Sequence, residues 1–583
     1  MATIIINGEE HPIPEGENLN VIQMAKRVGI EIPYYCWHPG LSVVASCRIC
    51  EVEVGARDPK TGEIKMVPKL VPGCATPAKD GTVLVTDSPR VKEHHRQILE
   101  YLLINHPLDC PVCDQAGECG LQDYTNYQDG QTNHRYVEQR QANPVKDVSE
   151  TIQLVTDRCI MCTRCVRFTR EISGDAELQI IRRGAHVEID NFPGVTMDDN
   201  PLAGNVVDVC PVGALLDKDF LHKQRVWFLA KHDSVCTLCS TGCKISVEEN
   251  KGTVWRVKPL SNPHVNDYWM CDEGRYGYRR NAAPADAIPG MFVLGADGEH
   301  APAVVDAALR EVDRGLKAAV VAGKRVAGVL SPFLTVEEAY LMARYLRDVT
   351  REATLAVGPV PVVGEDRTFT PDQSKDRWGD TQFLTPRPFT IHAEKAPNAR
   401  GVRAVIEHVQ GSVVEYDELL KQIETGEVGA LYVAGGYVEE WIDEPTAAAI
   451  RAKTPFVVVQ DVRVSALAHK ADVVLAAGGF AEKAGCYVNA DGRLQYAAAA
   501  LPPREGSLPG LDLFAILLDR PGPPDSREVL AELAERAPAF AAAGGGEIHE
   551  YGVPLDGEAP DPEAEQPRFV DLWFNPLGAA RSR

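Results

Sequence analysis

Fifteen of the sixteen cysteines lie between Cys36 and Cys271, and Cys486 stands alone in the rest of the chain. They fall into four sets: Cys36-x10-Cys47-x2-Cys50-x23-Cys74, His106-x3-Cys110-x2-Cys113-x5-Cys119, Cys159-x2-Cys162-x2-Cys165-x44-Cys210-Pro211, and Cys236-x2-Cys239-x3-Cys243-x27-Cys271. Each set closes at four ligands, with His106 completing the second. In a reducing compartment, thiols grouped this tightly read as metal ligands rather than disulfides. Two chemistries compete for them: iron-sulfur clusters, which carry electrons, and zinc, which holds structure.

The third set is the most diagnostic. Two-cluster bacterial ferredoxins use C-x2-C-x2-C-x3-C-P, in which the fourth cysteine ligates the other cluster. Here Thr169 stands at that position, and Cys210-Pro211 has no triplet ahead of it. The economical reading is a two-cluster ferredoxin reduced to one [4Fe-4S] cluster, with Cys210 crossing over to complete Cys159, Cys162 and Cys165. A C-x2-C-x2-C turn suits a cubane corner better than the paired spacings of zinc sites. The first set departs from the plant-type C-x4-C-x2-C of [2Fe-2S] ferredoxins, so its first ligand must sit on a longer loop. In the second, a neutral imidazole in place of a thiolate makes a cluster less negative and raises its potential. The plainer alternative there is a surface histidine beside a zinc knuckle. Alone, the fourth set suits zinc or a [4Fe-4S] cluster, and its company favours the cluster.

These ligands need elements to position them. Residues 3–6, the Asn7-Gly8 turn and the run to Pro14 predict a hairpin, followed by an amphipathic helix from about Leu19 to Val28. Strand-like EVEV follows Cys50, with a hairpin insertion around Asp58–Gly62. The segment RVKEHHRQILEYLLINH predicts a helix that turns Val91, Ile98, Leu102 and Leu103 inward and delivers His106 at its end. The Cys236 triplet sits at a hairpin whose next strands include TVWRVKP. Beyond about Asn281 the pattern becomes α/β. RVAGVLS (325–331) is a strand, and Thr335 caps a helix whose Glu337 and Glu338 favour its dipole. GALYVAGG, PFVVVQD and ADVVLAAGG read as buried parallel strands. No dinucleotide or triphosphate glycine motif accompanies them. Residues 539–549 read as a linker and 556–567 as an acidic, proline-rich stretch. Trp573 and Phe574, within 568–583, either pack on the chain's own core or dock a partner subunit.

At 583 residues the chain needs several cores, roughly three to five domains. Its 83 acidic against 60 basic residues give a net charge of -23, which repels phosphate backbones and argues against nucleic acid. The N-terminus lacks a signal-peptide pattern, and no apolar run reaches the roughly 18 residues of a membrane span. A cytosolic chain, or one on the cytosolic face of something larger, is expected.

A [2Fe-2S] site, a one-histidine-three-cysteine site and two all-cysteine sites, followed by an α/β region, form a distinctive order. It resembles the large iron-sulfur subunit family of bacterial respiratory complex I, the component lettered G or numbered 3 in NADH-quinone oxidoreductase. SCRIC, HPLDCPVCDQAGECGLQD, DRCIMCTRCVRF, CPVGAL and FAEKAGCYVNADGRLQ carry the likeness. It implies an α/β multidomain chain: a β-grasp [2Fe-2S] ferredoxin domain (1–88), a one-histidine-three-cysteine [4Fe-4S] module (89–130) and a ferredoxin-like [4Fe-4S] domain (131–222). A molybdopterin-oxidoreductase-type [4Fe-4S] domain (229–285), an α/β domain (286–540) and a linker and tail (541–583) follow.

The resemblance further implies an electron wire. Electrons from an NADH/FMN-binding flavoprotein subunit enter at the Cys36 set, pass to the Cys159 set, then to the His106 set, and leave toward quinone through further iron-sulfur subunits. The Cys236 set lies off that path and holds structure. The implied cofactors are one [2Fe-2S] and three [4Fe-4S] clusters, with no molybdopterin, FMN or NAD, no substrate site, and no insertion into the inner membrane on whose cytoplasmic face the complex sits. One departure is local. Active pterin enzymes place lysine in C-x-K-G after the fourth cluster, whereas this chain has Glu273 in Cys271-Asp272-Glu273-Gly274. Cys486 reads most simply as a small core residue. The alternatives are a molybdopterin formate dehydrogenase, a hydrogenase-type subunit, for which too few cysteines remain, and a zinc scaffold.

Overall fold

The computed structural model describes residues 2–127, 143–282, 284–372 and 387–555. They divide into two units, one from 1–229 with 369–389, the other from Ala230–Thr368 and from Thr390 onward. The Trp573/Phe574 tail and the acidic stretch 556–567 lie outside the described residues.

The first unit opens with strands Thr3–Ile6 and Glu9–Pro12, joined through Asn7 in the left-handed region (φ 50°), as the Asn-Gly pair predicts. Alternate residues Ile4 and Ile6 point into the core. Thr82–Val85 returns parallel to Thr3–Ile6 and pairs antiparallel with Glu51–Arg57, which carries the hairpin partner Ile64–Met66. Helix Val21–Arg27 packs on this sheet through Val21, Ile22 and Met24, completing a β-grasp arrangement. The helix starts later than hydrophobic periodicity predicts. Asn20 caps it, in a reciprocal box with Gln23, and so fixes the first turn.

Helix Pro89–Ile104 forms as predicted, but it buries Val91, His95 and Leu99, while Ile98, Leu102 and Leu103 are only half-buried. The stripe is rotated because the His95 ring meets the Glu51 carbonyl at 3.1 Å, giving an imidazole a place on the core face. Farther along, Ile152–Leu154 pairs with Leu215–Asp217 and Lys146–Asp147, and helices Arg164–Glu171 and Asn205–Val209 pack beside them.

The second unit holds a three-stranded antiparallel sheet, Ala230–Val235, Lys244–Asn250 and Thr253–Pro259, then a seven-stranded sheet. Its order is His300–Ala303, Met291–Leu294, Val473–Ala476, Phe456–Asp461, Val428–Ala434, Arg325–Leu330, Thr354–Val357. The last five run parallel. Val428–Ala434 is buried along its whole length, which is why its sequence is continuously apolar. Thr335 caps helix Val336–Val349 with Glu338 in a capping box. Glu337 and Glu338 are nevertheless buried rather than facing solvent at a helix end. Glu338 pairs with Lys483 at 2.8 Å, and Glu337 accepts the Cys486 amide at 2.8 Å. Among the described residues no helix is long and apolar enough to cross a membrane.

Candidate metal centres

The first set gathers where the β-grasp sheet meets the loop from Cys36 to Cys47. Cys36, Cys50 and Cys74 are buried and Cys47 half-buried. The Cys36 amide donates to Cys47 Sγ at 3.5 Å, and Asn20 Nδ2 holds the Cys74 carbonyl at 3.2 Å. Cys36 is the focus of the four. Its sulfur accepts hydrogen bonds from the Cys47 and Cys74 thiols, which hold it well below the usual thiol range. Cys74 also contacts Cys50 and is pushed up by those same bonds and by burial. Sulfurs in such mutual contact suit a set whose protons a bound metal would displace.

The second set forms at the end of helix Pro89–Ile104, where Asn105 caps the last turn and the next residue is His106. His106, Cys110, Cys113 and Cys119 line one pocket, together with Asp109, Arg158 and Gly213. Burial pushes Cys119 up to about 12. A Cβ on Gly213 would lie 2.2 Å from Cys113 Sγ, so glycine here is space kept for the sulfur.

The third set lines another pocket, in which Cys159, Cys162, Cys165 and Cys210 all meet. Cys210 does cross to the triplet, from the end of helix Asn205–Val209. Met161 and Thr163 take left-handed backbone (φ 54° and 62°), a strained turn that presents successive cysteines to one side. Desolvation pushes all four thiols up, Cys162 to about 11. An electropositive metal or cluster offsets that cost when the thiols ionise.

The fourth set closes between strands Ala230–Val235 and Lys244–Asn250 and the helix Asp272–Tyr276. The Cys236 amide donates to the Cys243 carbonyl at 2.9 Å, and Cys271 Sγ caps the helix by accepting from the Gly274 amide at 3.3 Å. A Cβ on Gly274 would lie 3.2 Å from Cys236 Sγ and 3.6 Å from Cys271 Sγ. Burial raises Cys236 to about 12. Glu273, at the position of the pterin enzymes' lysine, binds Lys395 at 2.6 Å, so the cation arrives from a distant stretch of chain.

Among the described residues, no group of three or more histidine, cysteine or carboxylate side chains is drawn in tightly enough to hold a metal ion. The fit to a larger group rests on the two pockets with ligands at their rims and on the two glycines that leave room beside sulfurs.

Sequence reasoning missed the residues between the sets. Arg164 and Arg167, fully enclosed, were visible in CIMCTRCVRF as two charges at i and i+3 inside an otherwise buried helix. Arg167 donates to the carbonyls of Cys36 and Ser42 and reaches the Cys162 carbonyl at 3.4 Å. Arg164 donates to Trp37 and Val209 carbonyls. On the other side, Cys119 Sγ lies 3.8 Å from the Pro211 carbonyl, one residue past Cys210. The third set thus shares residues with both the first and the second. A looser contact joins first and second directly, where Tyr35 meets Tyr124 edge-on with centroids 5.4 Å apart.

Comparison with known proteins agrees with this layout. Family models match a 2Fe-2S iron-sulfur cluster binding domain over 1–89 and an NADH-ubiquinone oxidoreductase-G iron-sulfur binding region over 95–133. Others match the ferredoxin-like domain of NADH-quinone oxidoreductase subunit 3 over 149–216, a molybdopterin oxidoreductase Fe4S4 domain over 229–282, and molybdopterin oxidoreductase over 386–519. The G component of NADH-quinone oxidoreductase from Rickettsia bellii is 37% identical over 278 residues, 48% of this chain and 39% of that protein. The Streptomyces coelicolor protein of the same name is 36% identical over 353 residues, 60% of this chain and 39% of that protein.

Over about half of its length the chain is similar to the large iron-sulfur subunits of NADH-quinone oxidoreductase, at 36–37% identity.

It spans about two-fifths (39%) of the length of these relatives. A solved NAD+-reducing [NiFe]-hydrogenase in its H2-reduced state aligns at 28% identity over 39% of this chain and 91% of its own, with a TM-score of 0.32. The matched modules bind 2Fe-2S and 4Fe-4S clusters.

Proposed function

We propose that this chain is the electron-conducting iron-sulfur subunit of a respiratory NADH-quinone oxidoreductase. Cys36, Cys47, Cys50 and Cys74 hold a [2Fe-2S] cluster. Three [4Fe-4S] clusters are held by His106 with Cys110, Cys113 and Cys119, by Cys159, Cys162, Cys165 and Cys210, and by Cys236, Cys239, Cys243 and Cys271. Such clusters supply one-electron carriers whose potentials follow net charge and hydrogen bonding. The chain's own part is to space them, exclude water and tune them. Electrons come from an NADH/FMN flavoprotein subunit, cross the first, third and second sites in that order, and leave to downstream iron-sulfur subunits toward quinone. The assembly sits on the cytoplasmic face of the membrane, and this chain carries no pterin, flavin or nucleotide.

The observation that carries this reading is the sharing of residues. The third set touches the first through Arg167 and the second through Pro211 and Gly213, the adjacency a wire needs. Metal analysis and reductive EPR on the purified protein test it. Iron with one [2Fe-2S] and up to three cubane signals is expected. Zinc without EPR signals, or stoichiometric molybdenum, would overturn it. Imidazole ligation has its own test: His106→Cys keeps a cluster and lowers its potential, and an unchanged or higher potential counts against the histidine.

A further inference from the structure

Helix Arg164–Glu171 begins inside the third set, and its polar face is turned to the first. Arg167 is 3% exposed. It donates to three carbonyls, those of Cys36, Ser42 and Cys162, the first and last belonging to ligands of different sites. A planar guanidinium with five donors is the side chain that can do this. Glu171 is the buried carboxylate on the same face, and it is also engaged by the Ser42 amide at 2.8 Å and the Ser42 hydroxyl. Burial lowers the Arg167 pKa and Arg164 opposes its charge, while Glu171 and the sulfurs of Cys36 and Cys162, one from each site, favour the cation. Buried charge is costly unless something of opposite sign lies near. Groups ligated by thiolates on both sides would supply that sign, and in a poorly polarisable interior each would feel the cation strongly.

We infer that Arg167 is a positioning residue shared by the first and third sites, which raises the reduction potentials of both clusters together and provides the hydrogen-bonded route between them. The inference rests on the cluster assignment proposed above. In the step it serves, the first cluster loses one electron and the third gains it. Arg167 keeps its proton and its charge throughout, so no bond is made or broken at the guanidinium.

The test is an EPR-monitored redox titration of the full chain in its assembled complex, with iron content measured in parallel. Arg167→Met should move the midpoint potentials of the first and third clusters downward together and leave the fourth in place. Freeze-quench after NADH addition should then show the reduced first cluster accumulating ahead of the third. Arg167→Lys, which keeps the charge without reaching three carbonyls, should restore the potentials more than the transfer rate. Retained iron with both potentials unchanged in Arg167→Met, or with only one moved, overturns the inference. If that variant loses iron, Glu171→Gln decides: removing the counter-charge should raise both potentials, and no movement overturns the proposal. Absence of these signals from the wild type would instead overturn the cluster assignment itself.

Discussion

The three sets of the first unit and the single set of the second solve the same problem, enclosing several thiols, with different neighbours. In the first unit the surroundings of one set are built from residues of another: Arg167 spans Cys36 and Cys162, and Pro211 and Gly213 meet Cys119 and Cys113. In the second, the set is surrounded by its own hairpin, a helix cap and the Lys395–Glu273 pair, a cation already matched by an anion. On the function proposed above, a charge held in common suits sites that exchange electrons, and a closed surround with its own ion pair suits a site that holds structure.

The largest break in that comparison should come from ligand removal. Cys162→Ala should abolish NADH-to-quinone turnover in the assembled complex while leaving flavin reduction, read with an artificial acceptor, intact. Cys239→Ala should leave quinone turnover in whatever complex assembles and lower the melting temperature instead, because ligand binding and folding are coupled. Equal loss of turnover in both variants would erase the distinction.

Smaller effects follow at the two glycines. Gly213→Ala puts a methyl 2.2 Å from Cys113 Sγ and should remove the second set's EPR signal. Gly274→Ala, at 3.2 Å from Cys236 Sγ, should keep the fourth cluster at a cost of about 1–3 kcal/mol in stability. Lys395→Met should lower the potential of the fourth cluster alone, in contrast to the paired shift expected at Arg167.

A further effect is a pH dependence confined to the second unit. Burial raises the Glu337 carboxyl to about 7. A carboxyl whose folded pKa is raised stays neutral in the fold while the unfolded chain ionises. Glu337's contribution to stability is therefore greatest below about 4.5, falls as pH rises toward 7, and levels off above. The full loss is on the order of 3 kcal/mol. Glu337→Gln should flatten that slope in denaturant titrations run across this range, and an unchanged slope would refute the assignment.

The gathering of these side chains could be expected from spacing because thiols close in sequence stay close in space, and the approach of Cys210 to the triplet because its Cys-Pro signature stands without a triplet of its own. The parallel strands could be read from continuous apolar runs. What spacing could not reveal is tertiary pairing of charge. Arg167 looks like a surface residue until the Cys36–Cys47 loop folds over it, Glu338 looks like a helix-dipole residue until Lys483 arrives 145 positions later, and Lys395 looks ordinary without Glu273. His95 took the stripe predicted for leucine and isoleucine for the same reason, since a carbonyl from another strand waits there.

The ten residues between Cys36 and Cys47 are fastened by partners that the ribosome makes much later. Trp37, Ser42 and the Cys36 carbonyl are held by Arg164, Arg167 and Glu171. A nascent chain of 74 to 170 residues has all four cysteines of the first set but lacks the full complement of polar anchors for the loop that presents them. The loop that presents the first set is therefore fully anchored only once the helix that opens in the third set has been made.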